Sequence, residues 1–148
     1  MAQVWADVGC DAMLKAFVNN SRPANSLGLT SANDFQIRLF CNNYTPLQTS
    51  VAADFTQATG GGYAAKTLSN GSFTVTVGND PSDAVYAIQT WTFTGALTTN
   101  LTVYGYYIVD SDGVLLCAET GPATYTPTTN GDVLTVTYKM QLSSGTPA

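Results

Sequence analysis

The chain has 148 residues, which suits one domain, and its hydrophobic share of 45% is enough to bury a core without disulfides or metal ions. Only 10% of the residues are charged, the formal net charge is −5, and there are five lysines and arginines in all. Nucleic-acid binding needs cations that replace phosphate counterions, so this composition argues against a nucleic-acid partner. No apolar run is long enough to span a membrane, and the N-terminus lacks the pattern of a secretory signal. We therefore expect no membrane partner, synthesis in a cytoplasm, and three cysteines that remain reduced thiols.

The first predicted element is a helix over about residues 8–19. Its apolar residues Met13, Ala16 and Phe17 recur at helical spacing, and Pro23 follows the segment. We assign residues 1–22 to an N-terminal arm with this helix. Residues 23–148 form the rest of a single domain that covers 1–148.

The segments that follow mostly alternate between apolar and polar residues, as in "DFQIRLFC", "SFTVTVG", "VYAIQTWTFTG" and "VLTVTYKMQL". Alternation of this kind predicts strands with one buried and one solvated face, and we treat each segment as one strand. Turn residues separate them, so we expect an all-β fold, an antiparallel β-sandwich of jelly-roll or Ig-like type. The predicted core comprises Phe35, Ile37, Leu39, Phe73, Val75, Trp91, Phe93, Val103, Tyr107, Val136 and Tyr138.

One segment, "NLTVYGYYIVD", carries large side chains on both faces. Such a strand is expected either at the centre of a sheet or against a neighbouring subunit. Tyrosine and tryptophan combine an apolar ring with a hydrogen-bonding group and are common at interfaces. We therefore predict Trp5, Tyr104 and Tyr106 as protein-interface residues.

Two short motifs suggest ligand sites, and in both we favour a turn. "GGGYAAKT", Gly60–Thr67, differs from a phosphate-binding loop by Ala65 in place of its last glycine, and a turn and a strand follow where that loop needs a helix. "DSDG", Asp110–Gly113, resembles the start of a calcium loop, but Gly121 stands where its twelfth-position glutamate belongs. A hairpin turn fits the flanking strands better. We expect no cofactor and no metal ion.

Catalytic residue types are scarce. Histidine, the commonest general base, is absent, and Glu119 is the sole glutamate. A paired-aspartate hydrolase remains as a distant alternative, but no aspartate spacing indicates one. We expect no enzyme activity and assign no catalytic residue.

Several segments of the sequence resemble the same protein family. The segments "IRLFCNNYTP", "DFTQATGGGYAAKTL", "WTFTGALTTNLTVYGYYIVDSDGVLLCAE" and "PTTNGDVLTVTYKMQLS" resemble a family of small virion structural proteins of tailed bacteriophages, among them head-decoration proteins. The resemblance implies a β-sandwich that decorates or cements the capsid surface of a virion. It implies the major capsid protein and copies of the chain itself as partners, in a homo-oligomer for which a trimer is one arrangement.

A second function stays open beside this one. A tail-fibre or adhesion module would use its tyrosine-bearing face to bind glycan on a host surface. It should show a shallow groove with solvent-facing aromatic rings near Asn or Asp, whereas a cement protein should show a broad patch that assembly buries.

Overall fold

The computed structural model of the protein describes residues 34–69, 71–76, 82–98 and 100–142. Within these residues the chain forms nine strands and one short 3-10 helix, and all the strand pairings are antiparallel. The prediction of an all-β fold is confirmed at this level. The predicted helix over 8–19, the arm over 1–22 and Trp5 lie outside the described residues.

The strands are β1 (Phe35–Phe40), β2 (Lys66–Leu68), β3 (Thr74–Thr76), β4 (Ser82–Val85), β5 (Gln89–Thr94), β6 (Val103–Val109), β7 (Leu115–Tyr125), β8 (Asn130–Val136) and β9 (Lys139–Leu142), and the 3-10 helix is Ala52–Asp54. They form three open sheets with the orders β2-β1-β6-β7, β3-β4-β9 and β5-β8.

The chain divides into two compact units. One holds Asp34–Leu68 and Gln89–Val136, and so contains the four-stranded sheet and the two-stranded sheet. In the other, the described residues lie within 69–88 and 137–142 and build the three-stranded sheet, where Phe73 packs edge-on against Tyr86 and Tyr138. The prediction of a single domain over 1–148 stays a prediction.

Most of the predicted core is buried. Phe35, Ile37, Leu39, Phe73, Trp91, Phe93, Val103, Tyr107 and Tyr138 are all buried. Val75 and Val136 are only half-buried; they belong to β3 and β8, which are edge strands of their sheets.

Two details of the strand predictions were wrong. Phe40, placed on a solvated face by alternation, is fully buried, because Phe55 from the following loop packs against its ring. The segments "VYAIQTWTFTG" and "VLTVTYKMQL", each predicted as one strand, are both two strands. β4 ends at Val85 and β5 begins at Gln89, and β8 ends at Val136 while β9 begins at Lys139 in a different sheet. In β4 it is Ala84 that is buried, and Val85 is half-buried.

Candidate functional site

The predicted interface tyrosines lie on β6, an inner strand of the four-stranded sheet. β6 pairs with β1 on one side and β7 on the other, so its buried residues are explained by the sheet and by the loop that covers it. The strand lies at the centre of a sheet, as one of the two explanations has it, and a contact with a neighbouring subunit stays a prediction. Tyr104 and Tyr106 are the half-buried residues of this strand, two positions apart.

Tyr106 forms a cross-strand pair with Glu119 of β7. Its hydroxyl donates a hydrogen bond of 2.5 Å to Oε2 of that carboxylate. Burial, followed by the hydrogen bond to Glu119 and the nearby negative charge, raises the pKa of Tyr106 above its usual value. The phenol therefore stays protonated at neutral pH and keeps its hydrogen available to the carboxylate. The polar end of this side chain already has a partner within the chain.

Tyr104 has a different environment. It packs against a cluster of buried side chains formed by Phe40, Phe55, Tyr107 and Val109. Its ring thus contributes to the core on one side and stays partly exposed on the other. The structure places Tyr104 and Tyr106 at the surface of one strand, and their interface role stays a prediction.

A loop of residues 41–58 covers the sheet next to this cluster; two aromatic contacts join it to the sheet, and a third lies within the loop. The Phe55 ring stacks on Tyr107 with 5.0 Å between centroids. Phe40 and Tyr44 both meet Phe55 edge-on, at 5.1 Å and 5.3 Å. Pairs of this geometry contribute about 0.5–1.5 kcal/mol each beyond the area they bury. The Phe55 ring therefore holds the loop against β1 and β6.

Polar contacts fix the outer part of the same loop. The Tyr44 hydroxyl lies 2.9 Å from Ser50 Oγ and 3.4 Å from Asp54 Oδ2. Ser50 Oγ accepts the Leu47 N–H, and Asp54 Oδ2 accepts the Val51 N–H, each at 2.9 Å. These bonds satisfy backbone donors that a loop would otherwise leave to water. The backbone between residues 47 and 54 is thereby held in one conformation.

The loop exposes two aliphatic side chains to solvent, Leu47 at 63% and Val51 at 55%. The backbone N–H groups of both residues belong to the polar network just described. Asp54 is the single charged residue between positions 41 and 58. We name Leu47, Val51 and the backbone between them the apolar loop surface. The loop therefore presents two exposed aliphatic groups on a hydrogen-bonded backbone and carries one charged side chain.

Sequence reasoning missed this surface. The segment "YTPLQTSVAADF" has neither helical nor strand periodicity, so Leu47 and Val51 had no predicted face. The available signal was two isolated aliphatic residues in a polar stretch, and that signal is weak because single exposed aliphatic residues are common.

Both short motifs form turns, as predicted. Gly60, Gly61 and Gly62 all have positive φ, and Lys66 begins strand β2 where a phosphate-binding loop would begin a helix. Asp110 closes the β6–β7 hairpin, where its N–H donates to the Val114 carbonyl and its Oδ1 accepts the N–H groups of Asp112 and Val114. The Asp110 side chain therefore stabilises the turn through these hydrogen bonds.

In the described part of the chain no group of three or more acidic or thiol side chains is placed to hold a metal ion. The same residues include no helix with the length and hydropathy to cross a membrane.

No family model, curated protein or solved structure matches the chain. The resemblance to phage structural proteins therefore remains a prediction.

Proposed function

We propose that this chain is a non-enzymatic virion structural protein that decorates a bacteriophage head and stabilises it by bridging adjacent capsomers. The sequence resemblance suggests the setting, with the major capsid protein and further copies of the chain as partners. A protein that bridges capsomers adds its binding free energy to the assembled shell. Such a protein needs surfaces that contact the capsid protein, and it needs no active site.

The observation that carries the proposal is the apolar loop surface. Leu47 and Val51 stay exposed on a loop that aromatic stacking and hydrogen bonds hold in place. A rigid contact loop loses little conformational entropy when it binds, so more of its contact energy appears as affinity. Apolar contacts of this kind are screened little by salt. A decoration protein with this surface should remain bound at moderate ionic strength.

For the fold, the proposal is a sandwich in which the four-stranded sheet faces the two-stranded β5–β8 sheet. Two contacts join these sheets within one unit. Trp91 Nε1 of β5 donates a 2.8 Å hydrogen bond to the carbonyl of Ala64, just before β2, and the Phe93 ring lies 6.0 Å from Tyr125 of β7. Facing sheets would also account for the full burial of Ile37 and Leu39.

The test is binding of the purified protein to heads that lack it. The variant Leu47→Ser/Val51→Ser removes the apolar groups without touching the aromatic anchors. Leu101→Ser/Val133→Ser is the matched control, since it removes two comparably exposed aliphatic side chains elsewhere. We expect the loop variant to bind the heads markedly more weakly and the control to bind like the unaltered protein.

Two results would count against the proposal. If the loop variant bound heads as tightly as the unaltered protein, the apolar loop surface would not be a contact with the head. Absence of binding to heads together with binding to host-surface glycan would favour the adhesion module in its place. On the tyrosine-bearing face that this function would use, the Tyr106 hydroxyl donates its hydrogen to Glu119.

A further inference from the structure

The outer edge of β7 lacks a neighbouring strand among the described residues. β7 ends the order β2-β1-β6-β7 and pairs with β6 alone. It is the longest strand, with 11 residues, whereas β2 at the opposite edge of the sheet has three. An open strand edge exposes a row of backbone donors and acceptors that can pair with another strand.

The hydrogen-bond pattern shows which groups β7 presents. Leu39 of β1 uses its N–H and its carbonyl away from β6, with Tyr63 Oη and the Ala58 N–H as partners. The opposing Tyr106 therefore directs its backbone groups toward β7, where it is paired with Glu119. Because bonding alternates along an antiparallel strand, the backbone groups of Ala118 and Thr120 point outward from the edge.

The chemistry around this edge suits a strand of the same kind. Between residues 113 and 131 the only charged side chain is Glu119, whose carboxylate accepts the Tyr106 hydroxyl. Val114 and Leu116 are exposed at 57% and 36%, beside the edge. Pro122 has no N–H and limits pairing to the segment before it. Nothing in this segment attracts a strongly charged partner.

We propose that the β7 edge pairs antiparallel with the β7 edge of a second copy of this chain, centred with Ala118 of one copy opposite Ala118 of the other. This proposal deepens the proposed function, on whose homo-oligomer it rests, by naming the surface through which copies meet. The register follows from charge. Centring on Glu119 would set two carboxylates directly opposite, which is destabilising, whereas centring on Ala118 sets Glu119 opposite Cys117.

The first experiment measures self-association of the isolated full chain by sedimentation velocity over a wide range of concentrations. Thr120→Pro removes an outward N–H, and Thr124→Pro is the matched control, because Thr124 lies past Pro122 where the β6 register is interrupted. We expect a concentration-dependent dimer for the unaltered chain and the control. For Thr120→Pro we expect dimerisation weaker by about tenfold or more, the effect of losing hydrogen bonds across the interface. A purely monomeric chain, or equal dimerisation by a folded Thr120→Pro, would overturn the proposal.

A cross-linking experiment tests the register and does not depend on the proline variant folding. With Ala118 opposite Ala118, these two residues form a hydrogen-bonded pair with Cα atoms about 5.5 Å apart, within disulfide range, and a cysteine at this position leaves Glu119 in place. Under mild oxidation Ala118→Cys/Cys117→Ala should give a disulfide-linked dimer, and Thr120→Cys/Cys117→Ala, whose two new thiols lie on opposite sides of the centre, should not. Absence of cross-linking in the first variant, or equal cross-linking in both, would overturn the register.

Neither measurement involves heads. Self-pairing can therefore fail while the protein still binds heads, and head binding can fail while the isolated chain still dimerises.

Discussion

At Gly105, in the middle of β6, two close neighbours leave no space for a side chain. A Cβ built there would lie 2.1 Å from the Glu119 carbonyl oxygen and 2.7 Å from Cε1 of Phe40. The first of these atoms is backbone and cannot move aside without disturbing the β6–β7 pairing. A glycine at this position lets the Phe40 ring lie over the strand.

Overpacked sites typically lose about 1–3 kcal/mol of stability. We predict that Gly105→Ala loses about 3 kcal/mol or more. Gly113→Ala is the comparison, because Gly113 has a φ of 82° but open space around it, and should cost only about 1–2 kcal/mol. Urea unfolding of both variants measures the difference. An equal or smaller loss for Gly105→Ala would contradict the close packing described for β6.

Alkaline pH should weaken the fold through buried thiol and phenol groups. Burial raises the pKa of Cys41 from 9.0 to about 11 and that of Tyr63 from 10.0 to about 12. Both groups hold their protons more tightly when folded than when unfolded. Their contribution to stability is therefore complete below pH 9 and is lost as the pH rises from 9 to about 12.

We expect the free energy of unfolding, measured by urea titration, to fall steadily above pH 9. Cys41→Ala should flatten that fall between pH 9 and about 11, whatever it does to stability at neutral pH. An unchanged slope in this variant would show that the thiol does not titrate as its burial implies.

Among the elements, the glycine turn before β2 shows how a motif can serve structure alone. A Cβ at Gly61 would lie 2.5 Å from the Gly95 carbonyl oxygen, and Gly61 has a φ of 54°. Its own carbonyl accepts the Thr94 N–H, which ties the turn to the end of β5. Lys66, which a phosphate site would use, instead lies 5.6 Å from the centre of the Trp91 ring.

We predict a large loss of stability for Gly61→Ala, about 2–3 kcal/mol or more, because left-handed geometry and overpacking both oppose the new Cβ. Lys66→Ala should cost about 0.5–1 kcal/mol, the contribution of a partly exposed cation–π contact. Thermal and urea unfolding check both values. The reverse order of effects, or magnesium-dependent nucleotide binding lost in Lys66→Ala, would contradict a structural turn.

The strands that sequence reasoning located well are those with strict alternation. Ile37 and Leu39 in β1, and Trp91 and Phe93 in β5, are buried as the pattern predicted, because a period of two fixes which side chains share a face. The same pattern misplaced Phe40, joined β4 to β5 and joined β8 to β9. Residues distant in the chain decide whether the other face of a strand is covered. They also decide where the strand ends.

The candidate site was less accessible to prediction. Tyr104 and Tyr106 were identified from residue type, but their neighbours Phe55 and Glu119 come from other elements and meet them only in the folded chain. The apolar loop surface depends on the Tyr44, Ser50 and Asp54 contacts, which the helical and strand periodicities do not encode. The proposed pairing by the β7 edge depends on the position of β7 at the end of its sheet, and the sequence does not give that strand order.

For the whole molecule, the central claim is that the protein stabilises a phage head as a decoration protein. The most direct measurement is to heat complete particles beside particles made without the protein and to follow DNA release. Packaged DNA strains the shell, so we expect DNA release at a lower temperature from the depleted particles, with recovery when purified protein is added back. Release at the same temperature from both, with loss of adsorption to host cells in the depleted particles, would contradict the claim.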